Sequence, residues 1–303
     1  MDAVPQLFVQ SVILCALDLN SVKEGRKIPS LWGNVFSATS KKIHTLSVIV
    51  CEKQKLYAAA KAICSSTLVS LDRVDSKLII NFQIDATVVW DSRSISREYT
   101  EISLDGLQRL IRLICPTTEG RQPVRYNKQS SNSLWLGHHI HSINGQLLSR
   151  QLPVDEVSLF TYIPEVDVFF ENAGPLYHVY CSMYLKPSTV DAMIEKFVPV
   201  DGGSFTLSEQ TRLSREQLER LVLKCEMSKR KVTVTVFPQG VTESSEITDF
   251  FDFNKYYSTK VVQLYEVVAI REGTELTMWV QWLTRARGEL QWRWGVIPWK
   301  RLH

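Results

Sequence analysis

The sequence predicts a mixed α/β protein, and three observations carry that prediction. Apolar residues in the first 42 positions fall at helical spacing, and from Ile43 the pattern changes to strand alternation. In the second half, strand candidates recur with helical segments between them at a spacing of roughly 25 to 30 residues.

The helical opening is a set of three short pieces. After Pro5, the residues Val9, Val12, Ile13 and Ala16 form one apolar stripe that Phe8 and Leu17 widen. Asn20 or Ser21 caps a second turn carrying Val22, and Gly25 limits it. Pro29 and Ser30 restart the chain, and Leu31, Trp32, Val35 and Phe36 supply a third apolar face. A strand follows in which His44, Leu46, Val48 and Val50 alternate with Thr45, Ser47 and Ile49, and another spans Leu78 to Ile84. Leu107, Leu110, Ile111 and Ile114 mark a helix that Pro116 stops.

Residues 116–133, rich in Pro, Gly, Ser, Thr, Gln and Asn, read as a linker. Beyond it, a strand over Leu176 to Leu185 precedes a helix with Val190, Met193, Ile194 and Phe197 on one face. Phe205 to Leu207 is a short strand, and Ser214 with Gln217 forms a capping box ahead of Leu218, Leu221, Val222 and Cys225. Val232 to Phe237 alternates as a strand, Ile247, Phe250 and Phe251 mark a helix, and Val261 to Ile270 reads as one further strand. Strands repeating at this period favour parallel neighbours with right-handed crossovers, in a short curved stack of leucine-rich-repeat-like units, although the leucine-rich signature itself is absent. The chain closes on an antiparallel hairpin, Glu275 to Leu283 and Glu289 to Ile297 around Arg285 to Gly288. The organisation expected is therefore a helical module over 1–42, a β-rich region with a helix over 43–115, the linker, and a β-α recognition region over 134–303.

Composition narrows the function classes. The chain has 303 residues, 45% hydrophobic and 22% charged, with a net charge of +3. The basic residues are scattered, so neither nucleic acid nor a membrane surface is an expected partner. No window reaches the ~18 uninterrupted apolar residues that span a bilayer, and the start is a poor signal peptide. The cysteines Cys15, Cys51, Cys64, Cys115, Cys181 and Cys225 lie in apolar runs without metal-ligand spacing and read as reduced packing residues. A cytoplasmic or nuclear location is expected.

Each candidate for chemistry has a plainer structural reading. His138, His139 and His141 include two imidazoles that a strand would aim together, yet two ligands do not make a metal site. Glu165, Asp167 and Glu171 share a strand face opposite Val166, Val168 and Phe170, the ordinary picture of a strand with one wet side. On a strand, His178 and Cys181 point to opposite faces. No phosphate loop, dinucleotide motif, zinc-protease motif or nucleophile elbow is present, so no catalytic residue, cofactor or metal is assigned. Trp279, Trp282, Trp292, Trp294 and Trp299 gather on the final hairpin, where they either cap the stack or form a recognition patch.

The N-terminal module resembles an F-box. The resemblance rests on Val4-Pro5, Phe8, Val12-Ile13, the apolar Leu17 and Val22, and Ser30-Leu31-Trp32. It covers about the first 42 residues; Gly25, Arg26 and Lys27 depart from it, and acidic residues after the proline are missing. The Met-Asp-x-Val-Pro opening, the Leu-Trp pair, Lys41-Lys42 and the strand that follows look like the divergent F-box-like proteins of nematodes. The resemblance implies a non-catalytic adaptor that binds a Skp-type protein of a cullin ubiquitin ligase while the rest of the chain selects an unknown protein substrate. Val4, Pro5, Phe8, Ile13, Leu17 and Trp32 are the partner-binding residues it implies. The alternatives are a scaffold whose helical head is purely structural, and an enzyme with an unrecognised site.

Overall fold

The computed structural model of the chain describes residues 5–15, 24–29, 31–51, 54–63, 65–91, 94–114, 123–138, 140–273 and 275–296. These form eight α-helices and 15 strands, a mixed α/β architecture. The chain divides into two compact units, Met1–Arg121 with Asn127–Glu156, and Gln122–Tyr126 with Val157–His303.

In the first unit, α1 (Gln6–Cys15) and α2 (Leu31–Ser40) pack on a mixed sheet. Strand β1 (His44–Cys51) lies between β4 (Ile79–Trp90), to which it is parallel, and β2 (Leu56–Ala62), to which it is antiparallel. Strands β3 (Leu68–Val69) and β5 (Thr100–Ile102) pair with β2, and β6 (Ser133–Leu136) runs parallel to β4. All of β1 except Ser47 is buried, so its polar side chains need partners inside the protein. Thr45 finds one in the Asn81 side-chain oxygen at 2.8 Å, and the Asn81 amide donates to the carbonyls of Gln129 and Ser131. Residues 127–132 are thereby tied to β4 and do not act as a free linker. Residues 115–122 lie outside the described part, and Arg125 bridges to Asp201 within the second unit.

Helix α3 (Leu104–Leu113) begins where the Ser103 hydroxyl accepts the Gly106 amide, and it buries Leu107 and Ile111. Helix α4 (His141–Ser149) starts at a histidine that the sequence places on a strand, while His138 sits in a turn and His139 lies outside the described residues. The anticipated strand pairing of imidazoles is therefore corrected.

The second unit contains successive strand and helix segments. Strand β7 (Glu156–Leu159), which starts at the unit boundary, leads to α5 (Glu165–Asn172), β8 (His178–Cys181), α6 (Pro187–Lys196), β9 (Ser204–Leu207), α7 (Arg215–Ser228) and β11 (Thr233–Pro238). Neighbours β8 and β9 are parallel, as are β9 and β11, and β10 (Arg212–Leu213) adds to β11. The sequence reading of 165–171 as a strand is corrected: Glu165 and Asp167 occupy a first helical turn, where negative charge suits the helix dipole, and Val166, Phe169 and Phe170 form the buried stripe. Strand β8 is shorter than the Leu176 to Leu185 run. Helix α7 carries the expected capping box between Ser214 and Gln217 and stops at Lys229, whose φ of 55° is left-handed.

The expected Val261 to Ile270 strand is two antiparallel strands, β12 (Thr259–Val262) and β13 (Glu266–Ile270). Ile247–Asp249 is a 3-10 turn and α8 (Phe253–Tyr256) a single helical turn. The last hairpin, β14 (Thr277–Thr284) and β15 (Glu289–Gly295), forms as expected, with β14 beside β13 and β15 antiparallel to β11. Trp282, Trp292 and Trp294 are buried, with Trp292 stacked on Phe253 and edge-on to Phe251, so they close the core beneath these short helices.

Candidate recognition surfaces

The first surface is built by α1. Val9 and Ile13, one helical turn apart, are 0% exposed in a core with Val35, Phe36, Ile43 and Ile80. Residues Pro5, Gln6, Leu7, Phe8 and Ser11 remain outside, with Leu7 76% and Phe8 55% exposed. The helix has no charged residue, so this outer face offers apolar and neutral polar groups alone.

Of the expected partner-binding residues, Pro5 and Phe8 face solvent. Ile13 does not face solvent: it is a core residue of the chain itself. Trp32 packs half-buried against the same core, with its indole N–H buried and without a hydrogen-bond partner among the described residues. Val4 and Leu17 lie outside the described residues. Leu7, which the sequence does not single out, is exposed beside Phe8, since Val9 and Ile13 define the inner side.

The helix α2 is held close to the preceding turn by two glycines. A Cβ on Gly33 would lie 2.0 Å from the Ile28 carbonyl oxygen, and one on Gly25 would lie 2.3 Å from the Phe36 ring. Backbone and ring occupy the space a side chain would need.

The second surface is the sheet face of the second unit opposite its buried tryptophans. Strand alternation and register align two rows of side chains on it. One row runs Tyr180, Thr206, Thr235, Gln291, Gln281 and Glu266; the other runs His178, Ser204, Thr233, Arg293, Trp279 and Val268. Inward residues of the same strands, such as Val179, Phe205, Val234, Trp292 and Val280, are 0% exposed. The first row is stitched together by Gln281 donating to Gln291 at 3.2 Å and Gln291 donating to Thr235 at 3.3 Å. In the second, the Trp279 indole donates to Glu266 at 2.9 Å and the exposed Arg293 guanidinium lies over the Trp279 ring.

At the far end of this row the His178 ring stacks on Tyr126, and its Nδ1 is 2.7 Å from the Ser204 hydroxyl. A hydroxyl beside an imidazole is the starting arrangement of a nucleophile and base. Cys181, on the opposite face of the strand, is fully buried, and burial pushes its thiol far above the ordinary range, so it is a packing residue.

Of the acidic candidates, Asp167 is held in a network of hydrogen bonds. Burial raises the Asp167 carboxyl, but bonds from Lys186 at 2.7 Å, Thr189 at 2.5 Å and Tyr162 at 2.8 Å outweigh it and hold the group below the usual carboxylate value. Asp167 thus ties α5 to α6. Among the described residues no group of three His, Cys, Asp or Glu side chains is placed to hold a metal ion, and no helix is long and apolar enough to cross a membrane. No protein-family model, curated protein or solved structure matches the chain.

Proposed function

We propose that the protein is a non-catalytic, F-box-like recognition adaptor, whose helical head engages a Skp-type partner of a cullin ubiquitin ligase and whose second unit selects a protein substrate. The observation that carries this reading is the division of α1, with Val9 and Ile13 consumed by the chain's own core while Pro5, Leu7 and Phe8 are left in water. A helix anchored rigidly on one side presents its other side at little further entropic cost.

Magnitudes set the size of that interface. Burying Leu7 and Phe8 contributes about 1.5–3 kcal/mol each, which does not by itself offset the roughly 4–15 kcal/mol cost of association. The contact therefore extends beyond these two residues along the head. The rows of amide, hydroxyl and aromatic groups on the second unit, partly exposed except at the buried Thr235, Gln291 and Val268, supply the kind of surface that substrate selection needs, because such groups combine contact area with directional hydrogen bonds.

Co-purification of the full chain with a Skp-type adaptor tests the proposal. Association that is lost in a Leu7→Ala/Phe8→Ala variant of unchanged stability supports it; absence of association in the intact chain overturns it. The burial of Ile13 and Trp32 favours a second reading, a scaffold whose head only completes the first unit, and that reading predicts no adaptor binding at all.

A further inference from the structure

We propose that the second unit binds a small zwitterion, an amino acid with an apolar side chain, in a cavity at the C-terminal end of α7. The cavity, open to solvent on one side, measures about 380 Å³, within the range of small-molecule sites. It lies where the end of α7, the approach to β9 and β11, the β13–β14 turn and the end of β15 converge.

Its chemistry carries both signs of charge. Asp201, Glu226 and Glu275 bring carboxylates, and Lys229 and Lys231 bring ammonium groups. Among the described residues none of these five forms an ion pair with another, so charges of both signs face the cavity without mutual neutralisation. Leu276, Trp294 and Val296 supply an apolar wall.

Glu226 is the organising group. It is 6% exposed, and its Oε2 accepts the Tyr257 hydroxyl at 2.6 Å and the Trp294 indole N–H at 2.8 Å. Burial, then the bond to Glu226, pushes the Tyr257 hydroxyl far above its ordinary range, so it remains a donor. The second oxygen, Oε1, accepts no hydrogen bond from the described residues and is left for a guest. A buried carboxylate with one oxygen held and the other open is a preorganised seat for an ammonium group. The C-terminal end of α7 adds partial negative charge at the same place.

The balance of charges selects the ligand class. A phosphate would meet three carboxylates, and a polyamine would meet two ammonium groups. A zwitterion satisfies both: its ammonium faces Glu226 and Glu275, its carboxylate faces Lys229 and Lys231, and an aliphatic side chain rests on Trp294 and Leu276.

Titration calorimetry of the full chain with L-leucine, L-methionine and L-phenylalanine tests the site, with leucinamide and N-acetyl-leucine as probes that each lack one charge. Saturable binding of at least one amino acid is expected, weakened about ten-fold or more when either charge is removed from the ligand, as loss of a charge-assisted hydrogen bond requires. Glu275→Gln and Lys231→Gln, both at exposed positions, should weaken binding by a similar factor with an unchanged thermal transition. No binding by any of the three amino acids overturns the proposal. So does binding of leucinamide and N-acetyl-leucine as tight as leucine, or full affinity in both variants.

Discussion

Asn132 and Asp155 hold each other through the backbone of both and the side chain of one. The Asn132 amide donates to Asp155 Oδ2 at 2.9 Å, and the Asp155 amide donates back to the Asn132 carbonyl at 2.8 Å. Burial raises the Asp155 pKa to about 6, the Asn132 bond opposes that, and the neighbouring Glu156 charge adds to it.

A pH dependence follows from that arrangement. The folded chain binds the Asp155 proton more tightly than the unfolded chain does, so this group's contribution is most favourable below its unfolded pKa of about 4 and is lost as pH rises through about 6. Asp155→Asn retains an oxygen to accept the Asn132 amide and removes the charge. Denaturant midpoints should show the variant more stable at pH 7.5 by about 1–3 kcal/mol, with the difference shrinking at pH 4. Parallel pH profiles for the two proteins would contradict the assignment.

The two sides of α1 should respond differently to truncation. Ile13→Ala is expected to cost about 2–5 kcal/mol, because it empties a site in a sealed core. Leu7→Ala and Phe8→Ala should shift stability by less than about 0.5 kcal/mol, as surface changes usually do. Thermal unfolding of the three variants separates these outcomes, and equal losses would mean that the outer side is also packed.

Gly33 tests the close approach between the turn and α2. A methyl group there overlaps the Ile28 carbonyl, so Gly33→Ala should destabilise the chain by about 1–3 kcal/mol despite the better helix propensity of alanine. Gly174→Ala, with nothing within 4 Å of its new methyl, is the control and should be neutral within error in the same unfolding assay.

Glu226→Ala removes the acceptor shared by Tyr257 and Trp294, leaving the Trp294 indole N–H unsatisfied and the Tyr257 hydroxyl with only the weakly accepting Met278 sulfur at 3.2 Å. An unsatisfied buried donor costs about 1–3 kcal/mol, so a loss of at least that size is expected in equilibrium unfolding, with much less lost in Glu226→Gln. A loss no greater in alanine than in glutamine would show that the oxygen is not the structural acceptor.

The proposed adaptor role makes a chemical prediction at Ser204. Despite its contact with His178, the hydroxyl should not react with a fluorophosphonate probe, and mass spectrometry of the treated protein should show no adduct. A stoichiometric adduct at Ser204 would instead favour a hydrolase.

Local signals were legible where one side chain decides them. The Ser214 and Gln217 box, the helix through Val190 and Ile194, and the closing hairpin all stand where their residues place them. The segment 165–171 was not legible, because Val166, Val168 and Phe170 fit a period of two as well as Val166, Phe169 and Phe170 fit a helix. Packing of the second triplet settled it, leaving Val168 52% exposed. The two rows on the second unit were equally hidden: Thr235 and Gln291 are 56 positions apart, and only strand order makes them neighbours.

The sequence by itself determined the mixed α/β class and many of the strand and helix positions, since periodicity and capping act over a few residues. Tertiary structure alone decided that Ile13 turns inward while Leu7 and Phe8 turn out, that the tryptophans close a core, and that charges from Asp201, from the Glu226 to Lys231 segment and from Glu275 meet at one cavity. The physical reason is that burial and charge are properties of what surrounds a side chain, and those surroundings come from segments far away along the chain.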